Sequence, residues 1–158
     1  MVSITKGAAA AAAAGTTFVA KTADETVTSS TTVQDDDHLT FTMAADKHYA
    51  ISGCLLVDSG TTPDFKYTLD LAGTSTSDIH TTYLNVGGGS VNYERQQNEE
   101  EAVVGSGAGT PVLSAIFTGI ALADGSGGAL TLQWAQNTSD GGATKLLTGS
   151  WISYTLLN

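Results

Sequence analysis

The segment DFKYTLDL, Asp64 to Leu71, decides the fold class of this chain. Phe65, Tyr67, Leu69 and Leu71 fall on one side of it, and Lys66, Thr68 and Asp70 on the other. Strict apolar–polar alternation is the period of a strand with one face buried, because successive side chains leave opposite faces of a pleated backbone. The same period returns upstream, where Leu39, Phe41 and Met43 alternate with Thr40 and Thr42. Between these two stretches, Tyr49–Val57 is apolar on both faces, which predicts a central strand covered on both sides.

Working outward, turn signals punctuate the chain at Asp35–Asp37, Ala44–Lys47 and Asp58–Asp64, the last holding Gly60 and Pro63. Upstream, Thr17–Lys21 and Glu25–Val33 read as strands rich in Thr and Val. Downstream, Pro111–Leu122, Ala129–Gln136 and Leu146–Leu157 are strong strands, separated by turns at Asp124–Gly128 and Asn137–Gly142. The 39 residues Ala72–Thr110 are too long for a plain connection, so they are expected to be a structured insertion or the seat of function. Within them Thr81–Val86 and Val91–Arg95 are expected to be short edge strands. No segment beyond the N-terminus carries a 3.6-residue period. Eight or so closely spaced strands predict an all-β protein, a jelly-roll-like antiparallel β-sandwich over residues 17–158. Residues 1–16, with the run Ala8–Ala14, are expected to form an N-terminal arm that orders only against a neighbour.

Composition narrows the partners. Six Lys and Arg against 16 Asp and Glu give a net charge of −10, which argues against binding nucleic acid or an anionic membrane. No run approaches the ~20 apolar residues that span a bilayer. The 24 threonines and 18 glycines are the palette of pleated, neutral polar faces, which suit burial between subunits. A single cysteine, Cys54, excludes an intramolecular disulfide and reads as a small buried hydrophobe.

Catalytic patterns are lacking. There is no G-x-S-x-G elbow, and GSGAGT at 105–110 lacks the Lys-Ser/Thr of a phosphate loop. His38 beside Asp35–Asp37 fits no metal-ligand spacing, so the acidic triplet reads as a solvated turn and Glu99–Glu101 as an exposed face. No catalytic residue, metal or cofactor is therefore expected. Exposed contacts are expected at Tyr83 and Tyr93, in the long polar segment. Trp134, Gln136 and Trp151 are expected in the core or in a subunit interface, and Val2, Ile4 and Phe18 as assembly contacts.

The segment LTLQWAQNTSDGGATKLLTGSWISYTLL, Leu130 to Leu157, resembles a C-terminal motif of phage virion structural proteins. The stretch VQDDDHLTFTMAADKHYAISGCLLVDSGTTPDFKYTLDL, Val33 to Leu71, and GSGAGT before Pro111 resemble other parts of the same family. The resemblance implies a trimeric jelly roll that serves as a head decoration protein, head fibre or tail-fibre domain. With a short arm in front of the module and no fibrous stalk, the expected role is capsid decoration. That means a homotrimer on the outer surface of the major capsid protein shell, located in the virion and without enzymatic activity. The alternative is a fibre domain that binds host surface glycans.

Overall fold

The computed structural model describes residues 15–60, 62–85, 90–98, 100–104 and 113–157. Among them there is no helix. Twelve strands run in chain order: β1 (Thr17–Ala20), β2 (Glu25–Val27), β3 (Gln34–Met43), β4 (His48–Ser59), β5 (Phe65–Leu71), β6 (Thr76–Asn85), β7 (Ser90–Gln97), β8 (Ala102–Val104), β9 (Leu113–Leu122), β10 (Gly128–Gln136), β11 (Thr144–Leu146) and β12 (Trp151–Leu156). They form two antiparallel sheets. The larger is ordered β1-β12-β4-β9-β6-β7, with β11 pairing β4 and β2. The smaller is ordered β3-β10-β5-β8. The quartets β1-β12-β4-β9 and β3-β10-β5-β8 have the strand order of a jelly-roll sandwich, and the hairpin β6–β7 is added to the free side of β9.

Each sheet buries the face that alternation marked. From the smaller sheet Leu39, Phe41, Met43, Phe65, Tyr67, Leu69, Leu71, Leu130, Leu132 and Trp134 point inward; from the larger come Tyr49, Ile51, Leu55, Val57, Ile79, Leu113, Phe117 and Ile152. Aromatic contacts cross the seam. Trp134, Phe65 and Tyr67 follow one another at centroid spacings of 5.8 and 6.1 Å, and Tyr67 meets Phe117 of the opposite sheet at 5.9 Å. Phe41 of β3 stacks on Tyr154 of β12 at 3.9 Å. Gly53 and Phe117 are register partners, and a Cβ at Gly53 would strike the Phe117 ring and lie 2.8 Å from Trp151 O. The bare glycine is what lets that ring lie flat on the sheet.

The Tyr67 hydroxyl is hydrogen-bonded to Thr81 Oγ1 of β6, which in turn donates to Gln96 Oε1 of β7 at 3.1 Å. Gln96 Nε2 donates to the backbone oxygens of Glu100 and Tyr67, so the added hairpin is tied to the smaller sheet beneath it. Burial raises the pKa of the Tyr67 phenol and keeps it neutral.

Several sequence expectations need correction. Asp35–Asp37 do not form a turn: they lie in β3, with Asp36 buried between the sheets, because an ion pair outweighs the poor strand propensity of aspartate. Only Glu25–Val27 of the expected Glu25–Val33 strand pairs. Beyond it, Ser29 N and Ser30 O bond instead to Asp140 O and Gln136 N. The last strand is broken at Leu147–Ser150, where Gly149 takes a φ of +90° and its N–H bonds Lys21 O. In the segment 72–110, the edge strand expected at Val91–Arg95 is β7, at the end of the larger sheet, but the one expected at Thr81–Val86 belongs to ten-residue β6, which is an interior strand. The outer side of β4 is only half-buried, so its apolar residues there are not covered as expected.

Removing the Tyr67 hydroxyl alone (Tyr67→Phe) is expected to cost about 1 kcal/mol in chemical denaturation, and Tyr67→Ala roughly 3–5 kcal/mol.

Candidate functional site: the outer face of the larger sheet

Strand register places the outward residues of six adjacent strands in rows. One row runs Ala20, Trp151, Cys54, Ile116, Thr82, Tyr93. The next runs Phe18, Ser153, Ser52, Thr118, His80, Arg95, and a third Thr16, Thr155, Ala50, Ile120, Asp78, Gln97. Phe18 is 64% exposed, Tyr93 63% and Ile116 57%, and Ile120 and Val91 are exposed as well. Of the exposed large hydrophobic residues among those described, all but Leu157 stand on this one face.

The face is held together by its own polar bonds. Ser52 and Ser153 hydroxyls meet at 2.9 Å, and Thr16 and Thr155 at 2.8 Å. The Arg95 guanidinium forks onto Asp78, Nε to Oδ1 at 2.9 Å and Nη2 to Oδ2 at 2.5 Å. That contact holds the Asp78 carboxyl below its usual range. His80 Nδ1 is hydrogen-bonded to the Tyr93 hydroxyl, and its Nε2 lies 3.8 Å from Asp78 Oδ1. Near the β11 end, Lys145 pairs with Asp58 at 3.2 Å. Among the described residues only two acids, Asp58 and Asp78, stand on this face, each paired with a base, so its charges balance on a chain whose net charge is −10.

Of the expected contact residues, Phe18 and Tyr93 are on this face, and Trp151 is half-buried there with its ring 5.5 Å from Phe18. Tyr83 is not an exposed contact. It is 7% exposed on the inner side of β6, because the strand is interior and its odd positions face the core. Trp134 and Gln136 are fully buried within the chain. Gln136 organises the loop that follows it, accepting from Ser30 N and Asp140 N and donating to Gly142 O at 2.7 Å. Cys54 is half-buried on the outer face, where burial raises the pKa of its thiol, and is not in the core. Val2 and Ile4, like GSGAGT, lie outside the described residues. Ile116 and Ile120 were legible only as members of a run, Leu113–Leu122, that is apolar on both faces.

A second polar cluster sits where β1 ends. Ligand atoms of Glu25, Asp36 and His38 lie within 4.8 Å of one another, an arrangement open to a cation. The chain supplies that charge itself. Lys21 Nζ, fully buried, lies 2.5 Å from Glu25 Oε1 and 2.6 Å from Asp36 Oδ2. Asp36 Oδ1 accepts from the His38 and Leu39 N–H groups at 2.9 and 2.8 Å, and His38 Nδ1 lies 3.4 Å from Glu25 Oε1. The cluster therefore bonds the larger sheet to the smaller.

No protein-family model matches the chain, and no curated protein matches it. Among solved structures it is similar to a chain in the structure of infectious bursal disease virus Gx strain, at 10% identity and a TM-score of 0.21, covering 99% of this chain and 45% of that one. A chain in the Gt strain structure gives 10% identity and a TM-score of 0.19, covering 91% and 42%. The chain spans less than half the length of either, and a superposition this loose bears on neither fold nor function.

Two outcomes follow from these contacts. Asp36→Ala, which removes one of the two carboxylates paired with buried Lys21, is expected to cost roughly 3–5 kcal/mol by denaturation, whereas Lys21→Met combined with Asp36→Leu stays nearer the parent. In an NMR titration, Arg95→Ala is expected to return the Asp78 carboxyl toward its usual range. The parent's extra stability from Asp78 is present at neutral pH and is lost as the pH falls through the lowered folded-state value.

Proposed function

We propose that this chain is a structural component of a phage particle: a capsid decoration protein that binds the outside of the major capsid protein shell as a homotrimer and stabilises the head. The reading is carried by the neutral, partly apolar outer face on a strongly acidic chain, a surface that joins protein to protein and leaves no charge to strand on burial. The resemblance of Leu130–Leu157 to phage virion proteins supports the same setting. Jelly rolls serve as viral shell and lectin domains alike, so the fold by itself does not choose between them.

The mechanism is binding without a chemical step. A trimer seated where capsomers meet clamps them by burying surface on several subunits at once. Repetition about the threefold axis multiplies a single-site affinity through effective concentration. The acidic loops and the polar face of the smaller sheet, with Asp35, Asp70 and Glu101 on or beside it, keep the opposite side solvated.

One observation favours a second reading, a fibre domain that binds host glycans. Tyr93 presents an exposed ring beside His80, Arg95 and Asp78, the pairing of aromatic platform and hydrogen-bonding groups that sugars need.

Electron microscopy of the parent particle with a label on this chain is expected to show label across the shell. Label confined to the tail tip would overturn the decoration reading, and glycan-array binding abolished by Tyr93→Ala would establish the fibre reading in its place.

A further inference from the structure

We infer that the outer face of the larger sheet, centred on Cys54 and Ile116, is where one copy of this chain packs against another. The inference rests on the reading of the chain as a self-assembling subunit, and it adds which surface does the work. Three observations converge on a second copy as the occupant.

The first is charge. Two molecules that each carry −10 repel one another over most approaches. This face is the exception, since its two acids, Asp58 and Asp78, are each ion-paired to a base on the same face. A cationic partner would find its complement on the acidic loops and on β3, not here. The second is chemistry. Ile116, Ile120, Val91, Tyr93 and Phe18 stand among Ser and Thr hydroxyls that already bond one another, as Ser52 does with Ser153. Burying such a face releases apolar surface from water and orphans few donors. The third is size. Six strands, each ~4.8 Å wide, by three rows of outward residues, each ~6.8 Å deep, give about 29 Å by 20 Å, roughly 580 Å² in projection. Side-chain relief increases the accessible area toward the ~800 Å² per partner of a standard interface.

Cys54 makes the inference measurable. It is the only cysteine, it sits mid-row between Trp151 and Ile116, and it is half-exposed in the single chain. The test uses the full chain, its mass in solution by light scattering, and the rate at which a maleimide alkylates Cys54. The parent is expected to be oligomeric with Cys54 protected. Ile116→Glu, at an exposed position that leaves the core intact, is expected to weaken association at least about a hundredfold and to expose the thiol. Thr40→Glu, on the outer face of the smaller sheet, is the control and should change neither reading.

Association and Cys54 protection that both survive Ile116→Glu would overturn this face while leaving self-assembly by another surface standing. A parent that stays monomeric at its highest soluble concentration would overturn it as well. So would protection of Cys54 in a monomer that is lost in Ile4→Asp, since the face would then be covered by the chain's own first residues. None of these outcomes moves the label on the particle, so the place on the shell stands or falls separately; only a monomeric parent would also remove the homotrimer from that reading.

Discussion

Tyr67 is the side chain through which the two sheets become one structure. It belongs to the smaller sheet, yet its ring lies on Phe117 and its hydroxyl on Thr81, both in the larger one. The ring contributes apolar burial, which tolerates small shifts. The hydroxyl is directional and fixes where β6 passes over β5. Through Thr81 and Gln96 that bond extends to β7, so the added hairpin is held over the smaller sheet as well as alongside β9. The breadth of the outer face depends on this attachment, because without β6 and β7 it would be four strands wide, with no Tyr93, Arg95 or Asp78.

At the other end of the sandwich a charge does what an aromatic does in the middle. Lys21 is fully buried between Asp36 and Glu25, and its backbone N–H and C=O are bonded to Ser150 O and Gly149 N. Asp24 caps the same turn by accepting from Thr148 N and Oγ1, which lowers its own pKa. The end of the first strand is thereby bonded to the turn before the last, where β1 and β12 pair. A buried pair of this kind adds little net stability, because each ion gives up its hydration to enter, but removing one partner leaves the other charge buried and unpaired. It also takes two carboxylates out of the solvent-facing charge of an acidic molecule.

Much of the fold was legible in the chain before any coordinates. The alternation of Phe65–Leu71 and Leu39–Met43 marked the inward side chains correctly, and both turns before and after β10 fell where Gly, Asp and Asn predicted them. The errors share a cause. Asp35–Asp37, Glu25–Val33, Leu147–Ser150 and Tyr83 were each read from near neighbours in sequence, whereas their positions are set by partners far along the chain: Lys21, Asp140, Leu56 and the core side of β6. Strand propensity spans only about 1 kcal/mol and changes with context, and leaving a buried charge or backbone group without its partner costs more than that.

The candidate site divides in the same way. By itself the sequence determined that the protein is all-β, that its strands have a core side, that Phe18 and Tyr93 lie at the surface and that it is acidic, since these follow from period, composition and the character of single side chains. The tertiary structure alone decided that β1, β12, β4, β9, β6 and β7 lie side by side, bringing Phe18, Cys54, Ile116 and Tyr93 onto one face from four distant parts of the chain. It alone decided that the charges on that face cancel. Period two records which side of a strand a residue takes, but not which strand stands next to it, because pairing is made by backbone groups that every residue shares.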